Sequence, residues 1–132
     1  MRTQGGAMPG TAAVLRTELA HRLEEARART DRFFGLIAES ALYERAIALE
    51  PDVFEAHFNL GNIFHDLGRY PEAQGCYRDA LKLNPAYGDA HFYLAVTLEK
   101  NGQSHDARSH WRAYQQLAPD GEWVDLAKEF SD

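Results

Sequence analysis

The chain has 132 residues, 45% hydrophobic and 26% charged, which suits one ordinary domain with a modest core and excludes a large multidomain enzyme. Twenty acids against 14 bases give a formal net charge of −6, so the positive surface needed for general nucleic-acid or acidic-membrane binding is missing. The imbalance is uneven: residues 1–35 hold six arginines and four acids, net +2, and the remainder holds eight bases and sixteen acids, net −8.

In chain order, residues 1–11 include Gly5, Gly6, Pro9 and Gly10 and read as a flexible tail ahead of a single helical domain over 12–132. The opening holds no apolar run long enough for a secretion signal, and no later stretch approaches the roughly 20 apolar residues that span a bilayer. A lone cysteine, Cys76, excludes an internal disulfide and a thiolate zinc site. These features point to a cytoplasmic protein with no cofactor and no nucleic-acid or membrane partner. Next, Leu15, Leu19, Leu23, Ala26, Thr30 and Phe33 recur at spacings of four and three, predicting an amphipathic helix over about 12–34.

From residue 36 the chain repeats itself. Pro51, Pro85 and Pro119 stand 34 residues apart, each closing a helical pattern. The same offset pairs Ala56 with Ala90, His57 with His91, Phe58 with Phe92, Leu60 with Leu94, Gly68 with Gly102 and Ala73 with Ala107. Gly68 and Gly102 supply the positive-φ position that ends a first helix, and the proline stops a second. Each unit is therefore a helical hairpin: its first helix is striped by Ala56, Leu60, Phe64 and Leu67, and its second by Ala73, Tyr77, Ala80 and Leu81. Beyond Gly121, residues Trp123, Leu126, Ala127 and Phe130 form one apolar face of a capping helix; truncating Trp123 to alanine is expected to cost about 3 kcal/mol.

With NLGNIFHDLGRYPEAQGCYRDALKLNP as its clearest copy, the 34-residue pattern resembles the tetratricopeptide repeat. The resemblance implies an all-α superhelix of antiparallel helical hairpins, with a degenerate first hairpin over 12–51, repeats over 54–87 and 88–121, and a cap over 122–131. Departures are Ala95 where glycine is usual, Tyr114 where a small residue is usual, and Glu39 where alanine is usual. Residues 25–45 also resemble the opening of a DinB-type helical domain, but the histidines that would hold iron in that family have no matching positions here, so no activity is implied.

No nucleophile elbow, phosphate-cradling glycine loop or zinc-protease motif appears, so the chain reads as non-catalytic. His57 and His91, at equivalent places in successive repeats, read as packing residues, with a shared metal site as the alternative. His21, His65, His105 and His110 are expected at the surface, and Cys76 as a buried, inert thiol.

In the family that the repeats resemble, the first helices line a concave groove that binds peptides. Off the core stripe lie Phe58, Asn62 and His65 with Asn59 beside them, then Phe92, Tyr93 and Val96 in the next repeat. This face either packs on another part of the chain or is an exposed patch for a partner, and the partner site is favoured. On that reading Phe92→Ala weakens binding by more than about 1 kcal/mol and spares the fold. The basic clamp that some family members use for a C-terminal carboxylate is missing. With Glu55, Asp66, Asp89 and Glu99 nearby, the expected partner is an apolar segment flanked by lysine or arginine. The alternatives are self-association, with the stripe from Leu15 to Phe33 pairing with itself as a homo-oligomer, or a repeat module of a bacterial regulator.

Overall fold

The computed structural model describes residues 9–131. These form six helices and, among the described residues, no strand: α1 (Pro9–Leu49), α2 (Phe54–Asp66), α3 (Tyr70–Leu83), α4 (Gly88–Lys100), α5 (Ser104–Leu117) and α6 (Val124–Ser131). The chain divides into two compact units, one ending at Gly35 and one running from Leu36 onward.

In the second unit the 34-residue pattern becomes two antiparallel hairpins, α2 with α3 and α4 with α5. Both tight connections are built alike. Gly68 and Gly102 adopt φ of 76°, which a side chain would strain. In each, the glycine N–H bonds back to the carbonyl of His65 or Glu99, and the next N–H bonds to that of Phe64 or Leu98 at 2.8 Å. The core interleaves large and small side chains. Tyr77, Leu94, Leu98 and Trp111 are almost wholly buried, and Ala73, Ala80, Ala90, Ala95 and Ala107 let the helix backbones approach between them. Gly61 marks the tightest approach, since a Cβ there would lie 2.7 Å from the Tyr77 ring.

α6 closes the far end through Ala127, fully buried, while Phe130 stacks on Trp111 with ring centroids 5.5 Å apart. Trp123 stacks on Phe92 at 5.2 Å yet stays 41% exposed, so less of the ring leaves water than the sequence implied.

The expected first hairpin is different. One unbroken helix occupies residues 12–49, where two antiparallel helices were expected. Gly35, just past the helix expected over 12–34, stays helical, because a lone glycine weakens a helix by about 1 kcal/mol without breaking it. Residues 9–11, expected as tail, form the first turn of α1, where a proline is well tolerated; residues 1–8 of that tail lie outside the described residues. At the other end of α1, Tyr43 and Ile47 pack on the core of the second unit. In the first unit Val14, Leu15, Leu19, Leu23 and Phe34 are each at least 60% exposed.

Candidate functional site

The residues singled out on the repeat face come from α2 and α4, neighbouring first helices of successive hairpins. Helical spacing of three and four puts Asn59, Asn62 and His65 on one side of α2 and Tyr93 and Val96 on one side of α4. Two of them meet on the ring of Tyr77. Tyr77 from α3 donates its hydroxyl to Asn62 Oδ1 at 2.6 Å, and Tyr93 stacks on Tyr77 with centroids 6.3 Å apart. Burial pushes the Tyr77 phenol above its ordinary pKa, so it remains a donor.

A second chain of bonds runs alongside. Thr97 donates its hydroxyl to the Tyr93 carbonyl at 2.7 Å, so it accepts from His65, whose Nδ1 lies 2.8 Å away. That leaves His65 Nε2 as an acceptor, and Lys100 Nζ sits 3.3 Å from it. Desolvation first, and Lys100 second, hold His65 below the ordinary histidine pKa against the opposing pull of Asp66, so the ring is neutral near pH 7. His65, expected at the surface, is instead half-buried and fixed in one tautomer. The Asn62 amide nitrogen and the whole Asn59 amide make no hydrogen bond among the described residues, and both side chains are partly exposed.

Phe58 and Phe92 correct the sequence reading: both are buried. Phe58 lies among Tyr77, Tyr87 and Tyr93, with centroids 5.0 to 5.9 Å apart. Phe92 lies among Tyr93, Trp111, Tyr114 and Trp123 at 5.2 to 5.5 Å. Each ring buries enough apolar area to be worth about 2 to 3 kcal/mol, which fixes them as core. For these two, packing against the chain itself wins over exposure to a partner. Tyr93, 37% exposed, is the aromatic side chain that the face offers outward.

The repeated histidines share one task. His57 Nε2 donates to the Pro51 carbonyl at 2.8 Å, and His91 Nε2 donates to the Pro85 carbonyl at 3.0 Å, each six residues back. His91 also meets His110, Nδ1 to Nδ1 at 3.1 Å. Because His91 Nε2 holds its proton for Pro85, the neutral pair needs His110 Nδ1–H to donate. Burial, then His91 and Arg78, depress the His110 pKa to about 4, with Asp106 opposing. His110, expected at the surface, is therefore a half-buried neutral ring. No group of three or more metal-ligating side chains stands together among the described residues. Burial and neighbouring acids push the half-buried Cys76 thiol up to about 12, far from a reactive thiolate.

Three repeat profiles match successive stretches: a tetratricopeptide repeat over residues 42–75, a TPR repeat over 61–102 and a tetratricopeptide repeat over 89–121. The chain belongs to the tetratricopeptide repeat family. It is 27% identical over 90 residues, 68% of its length, to the tetratricopeptide repeat and J domain-containing co-chaperone DNJ1 of Cryptococcus neoformans. It is 50% identical over 54 residues to the protein O-mannosyl-transferase Tmtc2 of Drosophila melanogaster. It spans only 17% and 6% of those two proteins. Among solved structures, MamA of AMB-1 is 28% identical with a TM-score of 0.63 over 71% of this chain and 51% of that one. The TPR2B domain of yeast Sti1, solved as a complex with pHsp70, shares the fold at 18% identity, with a TM-score of 0.67 over 82% of this chain and 91% of that domain.

Sequence reading of this tetratricopeptide face missed Thr97, Lys100 and the bond from Tyr77 to Asn62. The signal lay in the repeat register: Asn62 corresponds to Val96 and Tyr77 to Trp111, so the polar pair of one hairpin is replaced together in the next. The pairing of His65 with Thr97 crosses between hairpins and leaves no periodic mark.

Proposed function

We propose that this chain is a non-catalytic protein–protein interaction module that holds a peptide or helix of a partner along α2 and α4, against Asn59, Asn62, His65, Tyr93 and Val96. The observation that carries this reading is that the amide donors of Asn59 and Asn62 have no partner among the described residues, on the helix next to the one that offers the Tyr93 ring outward. An extended peptide presents carbonyls for the amides at intervals that leave an apolar side chain for the ring. Exposed Glu55 and Asp89 border the same helices, which favours lysine or arginine flanking that apolar segment. A cytoplasmic setting is part of this proposal, since a single cysteine suits a reducing compartment; no described helix is long and apolar enough to cross a membrane. A like-folded domain named for its pHsp70 complex fits a partner of peptide size.

The test is a fluorescence-polarisation titration of apolar peptides flanked by lysine, beside acidic peptides of equal length. The basic-flanked set binds, and Tyr93→Ala and Asn59→Ala each weaken it by about fivefold or more without shifting the melting temperature. Asn62→Ala is a poor probe, because it strands the buried Tyr77 hydroxyl. Equal binding of both peptide sets, or an unchanged affinity in Tyr93→Ala, sinks the reading.

A further inference from the structure

Helices α4 and α5 bring two imidazoles to one point. His91 Nδ1 stands 3.1 Å from His110 Nδ1, with the ring centroids 5.3 Å apart. A bond on the far side of His91 settles what it offers there. Its Nε2 donates to the Pro85 carbonyl at 3.0 Å, so in the neutral ring the Nδ1 lone pair is turned toward His110. A carbonyl on the far nitrogen is also what orients a histidine for a metal ion and raises the basicity of its free nitrogen.

The preceding hairpin lacks the second ring. His57 makes the same bond, Nε2 to the Pro51 carbonyl at 2.8 Å, but the residue 34 places before His110 is Cys76. One hairpin therefore carries one oriented imidazole at this place, and the other carries two.

The spacing suits a cation. Two nitrogens about 2.0 to 2.1 Å from one tetrahedral ion lie about 3.3 Å apart, close to the separation of the pair. An ion takes the place of the shared proton after a small tilt of the rings. His110 then carries its proton on Nε2, so no net proton is released. Arg78 and Asp106 act on His110 with opposite signs, and Asp106, one turn earlier on α5, offsets the repulsion of a cation by Arg78. Imidazole nitrogens select late first-row divalent cations over Mg²⁺ and Ca²⁺, with Cu²⁺ ahead of Zn²⁺.

We propose that His91 and His110 form a two-imidazole chelate for a late first-row divalent cation, which ties α4 to α5 through the two Nδ1 atoms. No third metal-ligating side chain stands with them among the described residues, so water completes the coordination. An ion that binds the folded hairpin and not the unfolded chain stabilises it. The site shares no residue with the peptide-binding face, and either reading can fail without the other.

The test is calorimetric titration of Cu²⁺, Zn²⁺ and Mg²⁺ into the full chain carrying Cys76→Ser, which removes the thiol as a competing ligand. One Cu²⁺ binds per chain and raises the melting temperature, Zn²⁺ binds more weakly, and Mg²⁺ does not bind. Electron paramagnetic resonance of the Cu²⁺ form shows coupling to two nitrogens. His91→Gln and His110→Gln each weaken Cu²⁺ binding by at least about tenfold, whereas His105→Gln, exposed on the same helix as His110, leaves it unchanged. Melting without metal shows that the variants are folded, and His110→Gln keeps an N–H donor for His91 Nδ1. Equal Cu²⁺ affinity in His110→Gln and its parent makes the ion adventitious and overturns the proposal. So does a loss in His105→Gln as large as that in His110→Gln, coupling to fewer than two nitrogens, or Mg²⁺ binding as tight as Cu²⁺.

Discussion

The hairpins α2–α3 and α4–α5 solve one packing problem with two sets of residues. The first places Gly61 against Tyr77 and satisfies the phenol with Asn62. The second has Ala95, Trp111 and Val96 at the matching positions: a larger ring and an added methyl group stand where the first has Tyr77 and Gly61, and Trp111 Nε1 is buried without a hydrogen-bond partner among the described residues. The flanking aromatics differ too. Phe58 is covered by Tyr87 and by Tyr93 of the following repeat, whereas Phe92 is covered by Trp123, just ahead of α6. Trp123 thus covers Phe92 much as Tyr93 covers Phe58 one repeat earlier.

The largest effect that tests this equivalence is Phe92→Ala. Deleting a ring enclosed by four aromatics costs about 3 to 5 kcal/mol, read as a lower midpoint in urea. Trp123→Ala costs less, about 1 to 2 kcal/mol, because part of the indole already faces water. If Trp123→Ala matched Phe92→Ala, the cap would be a structural element rather than a cover. Substitutions at Phe92 therefore report on stability, and Tyr93 is the position that reports on binding.

Gly61→Ala separates the hairpins next. The added methyl would sit 2.7 to 2.8 Å from Tyr77 ring carbons, so the helices must part, at a cost of about 1 to 3 kcal/mol. The reverse change, Ala95→Gly, opens a small void beside Trp111 and costs about 1 kcal/mol in helix propensity. A Gly61→Ala variant as stable as wild type would mean that Tyr77 can give way and that the two packing solutions are interchangeable.

A smaller term lies in the polar pair. Trp111→Tyr and Val96→Asn together transplant the Tyr77–Asn62 bond into the second hairpin. Each single change strands a polar group, and the double change recovers about 1 kcal/mol of coupling in a double-mutant cycle. Zero coupling would mean that the two hairpins hold their second helices at different distances.

Most of the fold was legible because its signals are local and periodic. Gly68 and Gly102 mark their turns by backbone geometry, and the alanines mark close approach by size. The break came at α1: the pattern suggested a hairpin over 12–51, but a helix of good formers runs through a single glycine, Gly35. The site was legible in part. Spacing kept Asn59, Asn62, Tyr93 and Val96 off the buried stripe, and each keeps some exposure, yet an aromatic off the main stripe can point outward or into the seam between hairpins. Only the positions of Tyr87, Tyr93 and Trp123, set by tertiary packing, decide that Phe58 and Phe92 are inside.

A pH dependence belongs to the second hairpin's side of the comparison. His57 bonds only to its proline carbonyl, while His91 also meets His110, whose folded pKa lies near 4 rather than the ordinary 6.5. Between those values the unfolded chain binds the proton and the folded chain does not, so the stabilisation is fully present above pH 6.5 and is lost as pH falls toward 4. His65 is lowered too and acts in the same direction. Urea midpoints measured from pH 7.5 to 5 therefore decline, and His110→Gln flattens the decline by up to about one proton per chain. Glutamine keeps an N–H donor for His91 Nδ1, so the variant tests titration apart from the loss of the bond. An unchanged slope in His110→Gln would mean that the imidazole pair opens to water before His110 is charged, and that the two repeated histidines differ less than their neighbours imply.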